Sequence, residues 1–243
     1  MIKKIIQKVI KKLGYTLVKN NVSSSSKNYS DPMKDGLKRN SILIPNVSTI
    51  IDVGAAAGTW YEKSLQVWPD ADYVLFEPLI ERKNELELIK QKNTKVMVRH
   101  SALGKERSTL QFTISDDLDG SGFYGKGNQR EVQVEALDEV IREQKKSGPF
   151  ILKLDTHGFE IPILEGAVET LKNTELIIVE VYGFYVAPNS LLFWQICEYL
   201  DKQGFRMIDM LDMMRRKKDG AFWQCDAFFI KKSQPLFLDN AYL

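Results

Sequence analysis

The chain has 243 residues, 34 Lys and Arg against 32 Asp and Glu, a formal net charge of +2 and 44% hydrophobic residues. The near-neutral balance gives no electrostatic case for a nucleic-acid partner, and no apolar run approaches the ~20 residues that would span a bilayer. The length suits one α/β domain at residues 31–243 behind a short extension at residues 1–30. Cys197 and Cys225 fall in a predicted helix and strand and read as reduced core residues, which favours a reducing, cytoplasmic setting. Only His100 and His157 are present and there is no C-x-x-C, so the expected metal content is none.

Residues 1–13 predict a basic amphipathic helix with Ile2, Ile5, Ile6, Val9, Ile10 and Leu13 on one face. Charge interrupts its apolar residues throughout, which argues against a signal peptide. The helix either docks on an anionic membrane surface or partner enzyme, or packs on its own domain. Residues 20–30 are a polar linker, and a short helix follows at 31–42. From residue 47 the pattern alternates. Strands are predicted at 47–53, 72–76 and 94–98, with helices at 59–67 and 79–91. Residues 107–114 and 130–135 alternate apolar and polar as hairpin strands do, flanking a glycine-rich loop at 116–127 read as a lid. A helix at 137–145, a strand at 149–154, a helix at 161–172, a strand at 175–181 and a helix at 190–203 come next. The helix at 161–172 takes its buried face from Leu164, Ala167, Val168 and Leu171. Strands at 205–210 and 221–230, joined by the charged turn 215–220, close the chain. The predicted fold is α/β, a doubly wound, mostly parallel sheet with an antiparallel last strand and an inserted β-hairpin.

The most specific segment is Ile51-Asp52-Val53-Gly54-Ala55-Ala56-Ala57-Gly58-Thr59-Trp60. It runs from a buried strand through a small-residue turn to a helix start, with Thr59 and Glu62 at capping-box spacing. Such a turn offers backbone N–H groups to an anionic group. The middle glycine of a dinucleotide fingerprint is replaced by Ala56, and no Walker lysine follows. A nucleoside carrying a small carboxylate fits better than a diphosphate, and S-adenosylmethionine is the common ligand of that kind. Glu77-Pro78, at the end of the second strand, places a carboxylate where ribose hydroxyls are held in open α/β folds.

With these motifs, the chain resembles the FkbM family of S-adenosylmethionine-dependent methyltransferases over roughly residues 45–231. The matching segments are Ile51 to Gly58, Phe76-Glu77-Pro78, Ser101-Ala102-Leu103-Gly104, and Leu152-Lys153-Leu154-Asp155-Thr156-His157-Gly158-Phe159-Glu160 with Leu164-Glu165-Gly166-Ala167. Ala56 stands where the family often has asparagine. The resemblance implies a seven-stranded class I methyltransferase fold and methyl transfer to a hydroxyl oxygen. By its pattern, Gly54, Ala55 and Gly58 line the methionine end of the cofactor and Glu77 holds the ribose. Asp52 orients the turn or reaches the methionine amino group, and Ser101 and Ala102 border the adenine.

An alcohol needs its proton accepted before it attacks a methyl group. His157 is the candidate general base, with Asp155 orienting it or the hydroxyl, and Glu180 ends the next strand within reach of the acceptor site. Asp155 and Glu180 could also hold a divalent cation, although their spacing does not demand one. Glu160 is expected to cap its helix and His100 to be structural. The acceptor class implied by the resemblance is a hydroxyl of a sugar, glycan or glycosylated metabolite, for which Tyr182, Phe184, Tyr185, Phe123 and Tyr124 offer stacking faces. The alternatives are a nicotinamide-dependent oxidoreductase, against which Ala56 counts, and a non-catalytic scaffold retaining the cofactor fold.

Overall fold

The computed structural model describes residues 31–124 and 127–242. The predicted basic helix at 1–13, the linker at 20–30 and the residues Gly125 and Lys126 of the glycine-rich loop lie outside the described residues. Among the described residues, no helix is long and apolar enough to cross a membrane.

The main sheet has seven strands: β1 (Thr49–Val53), β2 (Asp72–Phe76), β3 (Val96–Arg99), β7 (Phe150–Leu154), β8 (Thr174–Tyr182), β9 (Phe205–Arg215) and β10 (Phe222–Lys231). Their spatial order is β3-β2-β1-β7-β8-β10-β9. The first five run parallel, and β10 pairs antiparallel with both β8 and β9. Every residue of β1 and of β7 is buried, as strands covered on both faces require.

Alternation along the strands splits the core into two layers. Ile51, Val53, Leu152, Leu154, Ile177 and Val179 face α4 (Leu137–Glu143), α5 (Glu160–Glu165), α6 (Val168–Lys172) and α7 (Phe193–Lys202). Ile50, Tyr73, Leu75, Ile151 and Ile178 face α1 (Pro32–Ser41), α2 (Thr59–Leu65) and α3 (Lys83–Lys92). Cys197 and Cys225 are free thiols; Cys225 is buried in the first layer and the partly buried Cys197 packs against that layer.

Several element expectations change. The predicted hairpin gains a third strand. β4 (Ala102–Gly104) pairs parallel with β6 (Asn128–Ala136), which pairs antiparallel with β5 (Ser108–Ile114). Thr59 does begin α2, but it forms no capping box. Gly58 occupies the N-cap at φ 84° with no side-chain cap. The helix predicted at 161–172 is broken at Gly166 and Ala167 into α5 and α6, and Val168 is 54% exposed rather than buried. The break has a local cause. The Asp138 carboxylate accepts hydrogen bonds from the N–H groups of Glu169 and Thr170, capping α6 from a neighbouring helix, while Asp138 N–H donates to the Gly166 carbonyl. Gly166 also lies flat on β4, where an added Cβ would run into the Gly104 carbonyl oxygen. Gly166→Ala should therefore destabilise the fold by about 1–3 kcal/mol, read as a lower urea midpoint.

Candidate active site

The parallel strands β1, β2, β7 and β8 end at one edge, and a cavity of about 720 Å³ opens there, within the size range of small-molecule and cofactor sites. Gly54, Glu77, Pro78, Ser101, Ala102 and Asp155 line it, together with His157 and Glu180. Eight of the eleven residues singled out from the sequence thus share one cavity. Asp52, Ala55 and Gly58 stand behind the wall. Ala55 is buried in the second core layer, and a Cβ on Gly58 would meet Ile89 of α3.

The turn after β1 is shaped by three consecutive constraints. Gly54 has φ +80° and touches the β7 end so closely that a Cβ would strike the Asp155 carbonyl oxygen. The N–H groups of Gly54 and Ala55 both donate to the Phe76 carbonyl. Ala56 then turns at φ 46°, a left-handed conformation that suits asparagine or glycine better than alanine. Glu77 holds this turn in place. Its Oε2 accepts from Ala56 N–H at 2.8 Å and its Oε1 from Leu79 N–H at 2.9 Å. Burial pushes its carboxyl above the ordinary value, against the two amides that favour the charged form. Each oxygen keeps a further lone pair for a ligand hydroxyl. Glu77→Gln puts an NH₂ group opposite one of those amides and should weaken S-adenosylhomocysteine binding by about 1–3 kcal/mol. Titration calorimetry showing unchanged affinity would remove Glu77 from ligand binding.

Ser101 donates to Glu135 Oε2 on β6, and Glu135 also pairs with Arg99. Through Glu135, Arg99 at the end of β3 and the Ser101 hydroxyl just after it are tied to the small sheet at the cavity wall. His100 pairs with Glu87 at the surface, the structural position expected of it. Glu160 does not cap its own helix. Its Oε1 accepts from Gly158 N–H at 2.9 Å and from the Thr156 hydroxyl at 3.1 Å, fastening the loop that carries His157.

At the far side of the cavity, Asp155, His157 and Glu180 converge. His157 lies at φ 52° and is followed by Gly158 at φ 96°. A non-glycine residue in this region costs conformational energy and holds its side chain in a fixed direction. His157 Nδ1 donates to the Ser121 carbonyl of the glycine-rich loop at 3.1 Å, because a carbonyl can only accept. That bond fixes the tautomer of the neutral ring, in which Nε2 carries the lone pair. Nε2 is 3.7 Å from Asp155 Oδ1 and 3.7 Å from Glu180 Oε2.

The roles of three residues in this region, Lys153, Tyr182 and Gln224, were not legible in the sequence, which offered Tyr182 only as a stacking face. Lys153 is buried and donates to Asp155 Oδ2 at 2.9 Å. Burial disfavours its charge, but the carboxylates of Asp155 and Asp52 hold the ammonium above its ordinary value. Burial works against the charge on Asp155 too, yet Lys153 keeps that carboxyl below its usual range. Glu180 is pushed up to about 8, first by burial and then by the Asp155 charge. Tyr182 hydroxyl and Gln224 Nε2 both donate to Glu180. The one available signal was Lys153 itself, a charged residue inside an otherwise apolar strand.

Asp52 is fully buried behind the turn. Neither of its oxygens has a hydrogen-bond partner among the described residues, and Lys153 Nζ stands 3.9 Å away. Burial raises its pKa to about 6. Because the folded value exceeds the unfolded one, the fold is favoured while Asp52 is protonated, and this contribution is lost as pH rises from about 4 through 6. Asp52→Asn should therefore raise the unfolding free energy at pH 7.5 by an increment on the order of 2–3 kcal/mol, and by much less at pH 4.5, as denaturant titration at the two pH values would read. Equal increments at both pH values would contradict the assignment.

The glycine-rich loop forms a wall of the cavity through residues 117–121 and Phe123. It is anchored by the Arg82–Asp119 ion pair at 2.6 Å, by the bridge between Thr113 and Gly122, and by Phe123 packed at a tilt on Phe159. Of the expected stacking faces, Tyr182 is engaged with Glu180. Phe184 is sandwiched between Trp223 and the Arg216 guanidinium, and Tyr185 is exposed.

An open sheet with this strand order, a glycine turn after β1 and a buried acid after β2 is the architecture of the class I methyltransferases. The Methyltransferase FkbM domain matches residues 52–207, and the chain belongs to that family. Methyltransferase FkbM from Methylobacillus flagellatus KT has a similar fold, with a TM-score of 0.50 and 15% identity over 75% of this chain and 43% of that one. The chain thus spans less than half the length of that protein. Precorrin-6y C5,15-methyltransferase from Geobacter metallireducens GS-15 follows at a TM-score of 0.47, with 9% identity over 82% and 88% of the two chains. The 1,6-didemethyltoxoflavin-N1-methyltransferase of Burkholderia thailandensis, solved with bound S-adenosylhomocysteine, gives 0.46 and 10% over 82% and 77%. No curated protein matches the chain.

Proposed function

We propose that the protein transfers a methyl group from S-adenosylmethionine to a hydroxyl of a sugar, glycan or glycosylated metabolite. The observation that carries this reading is that the glycine turn with Glu77 and the Asp155–His157–Glu180 cluster open onto one cavity. Membership in the FkbM methyltransferase domain family supports the donor. The cavity fits it. Gly54 lets the turn lie against the Asp155 carbonyl, Glu77 has lone pairs free for ribose hydroxyls, and Ser101 and Ala102 border the space beside it.

S-adenosylmethionine supplies an electrophilic methyl carbon on a positively charged sulfur. The chain's own residues supply the remainder. The turn and Glu77 fix the donor side, and the cluster receives the acceptor hydroxyl. Its proton leaves at the cluster, and its oxygen bonds to the methyl carbon as the carbon–sulfur bond breaks. Alignment at near-attack distance is the larger contribution, and proton removal adds ~10²–10⁴-fold. Phe123 and the loop residues 117–121 line that side of the cavity.

The test is calorimetry with S-adenosylhomocysteine, followed by a methyl-transfer assay over a panel of glycosides. Binding together with a methylated ether product supports the proposal. No binding at millimolar ligand refutes the donor, and methylation of an amine or carboxylate in place of a hydroxyl refutes the acceptor class.

A further inference from the structure

We propose that Asp155, His157 and Glu180 form a binding site for a divalent first-row cation such as Mn²⁺, open on the cavity side to the acceptor oxygen. The role of the ion rests on the methyl-transfer reading, but its binding does not.

Asp155, His157 and Glu180 each offer one donor atom, all within 4.8 Å of one another. His157 Nε2 is 3.7 Å from each carboxylate, beyond hydrogen-bonding range. The imidazole nitrogen therefore points between the two carboxylates without bonding to either. Donors around an ion with bonds of about 2.1–2.4 Å stand roughly 3–5 Å apart, which is the spacing seen. One imidazole nitrogen with two carboxylate oxygens suits Mn²⁺, Fe²⁺ or Zn²⁺ better than Ca²⁺.

A second feature is independent of these distances. Each residue of the set is oriented by a partner outside it. His157 donates Nδ1–H to the Ser121 carbonyl, leaving Nε2 as the donor atom. Asp155 gives Oδ2 to Lys153 and keeps Oδ1 for the site. Glu180 is held through Oε1 by Gln224 and is braced on Oε2 by Tyr182. Outer partners of this kind set the tautomer and direction of metal ligands. The buried Lys153 leaves the site with a formal −1 charge once both carboxylates are ionised.

All three donors come from one side, from the β7–α5 loop and the end of β8. An ion there keeps open positions toward the cavity, the arrangement of catalytic rather than structural metal centres. A hydroxyl bound at an open position is acidified. Its O–H bond breaks with the proton passing to solvent, and the oxygen is then the nucleophile for methyl transfer.

The experiment titrates the purified, chelator-treated full chain with Mn²⁺, followed by electron paramagnetic resonance, with Asp155→Asn, Glu180→Gln and His157→Gln in parallel. One Mn²⁺ per chain is expected, with affinity falling at least tenfold in each variant. Melting curves and S-adenosylhomocysteine affinity show that the variants fold. No Mn²⁺ binding, or binding that the three substitutions leave intact, overturns the site. S-adenosylhomocysteine binding in metal-free protein keeps that failure separate from failure of the donor assignment. Methyl transfer that persists unchanged in chelator, with Mn²⁺ bound in its absence, overturns the catalytic role of the ion.

Discussion

His157→Ala is expected to lower turnover by ~10²–10⁴-fold while leaving S-adenosylhomocysteine affinity unchanged. The ring has its Nδ1 committed to the Ser121 carbonyl and its Nε2 aimed between two carboxylates. It touches neither the Gly54 turn nor Glu77, so the donor side of the cavity survives its loss. Because residue 157 sits at φ 52°, His157→Asn is the better-folded companion, since asparagine tolerates that conformation. Turnover by steady-state assay and affinity by calorimetry separate the two effects. Equal turnover in both variants would remove His157 from the reaction, whether as proton acceptor or as metal ligand.

Gly54→Ala is expected to weaken S-adenosylhomocysteine binding by about 100-fold, near 3 kcal/mol, with a smaller loss of thermal stability. Two penalties add at this position. The backbone is at φ +80°, and the new Cβ would occupy the space of the Asp155 carbonyl oxygen. Relief requires the turn to move away from β7, which pulls Ala56 N–H off Glu77 and shifts the Asp155 backbone at the same time. Both halves of the site are therefore affected, and turnover should fall further than affinity. Calorimetry returning wild-type affinity would mean that ligand does not approach this turn.

The positions of the parallel strands along the chain were legible because their signals are local. Residues 47–53, 72–76 and 149–154 are apolar runs bounded by Gly, Pro or polar residues, and their helices follow with periodic faces. Glu77 and Gly54 were legible for a similar reason, since a strand end and a turn are short-range features. The break between α5 and α6 was not legible, because it is made by Asp138 from another helix and by the approach of Gly104. The strand β4 was missed because three residues carry no period of their own and pair with β6 some thirty positions away. The capping role expected of Glu160 was displaced in the same way, since the carboxylate serves the loop ahead of its helix.

The sequence alone determined which residue types exist at each strand end: the glycine turn, the acid after β2, and the Asp155–His157 pair after β7. It could do so because the chain direction in a parallel sheet sends all those ends to one edge. Only the tertiary structure decided what they do to each other. Lys153 reaches Asp155, Gln224 and Tyr182 hold Glu180, and a carbonyl 36 residues upstream sets the tautomer of His157. The Gln224 and Ser121 contacts join elements distant in sequence, and the energies of all four depend on separations of a few ångströms in a buried, weakly screened environment. Residue order does not encode such distances until the sheet has closed around them.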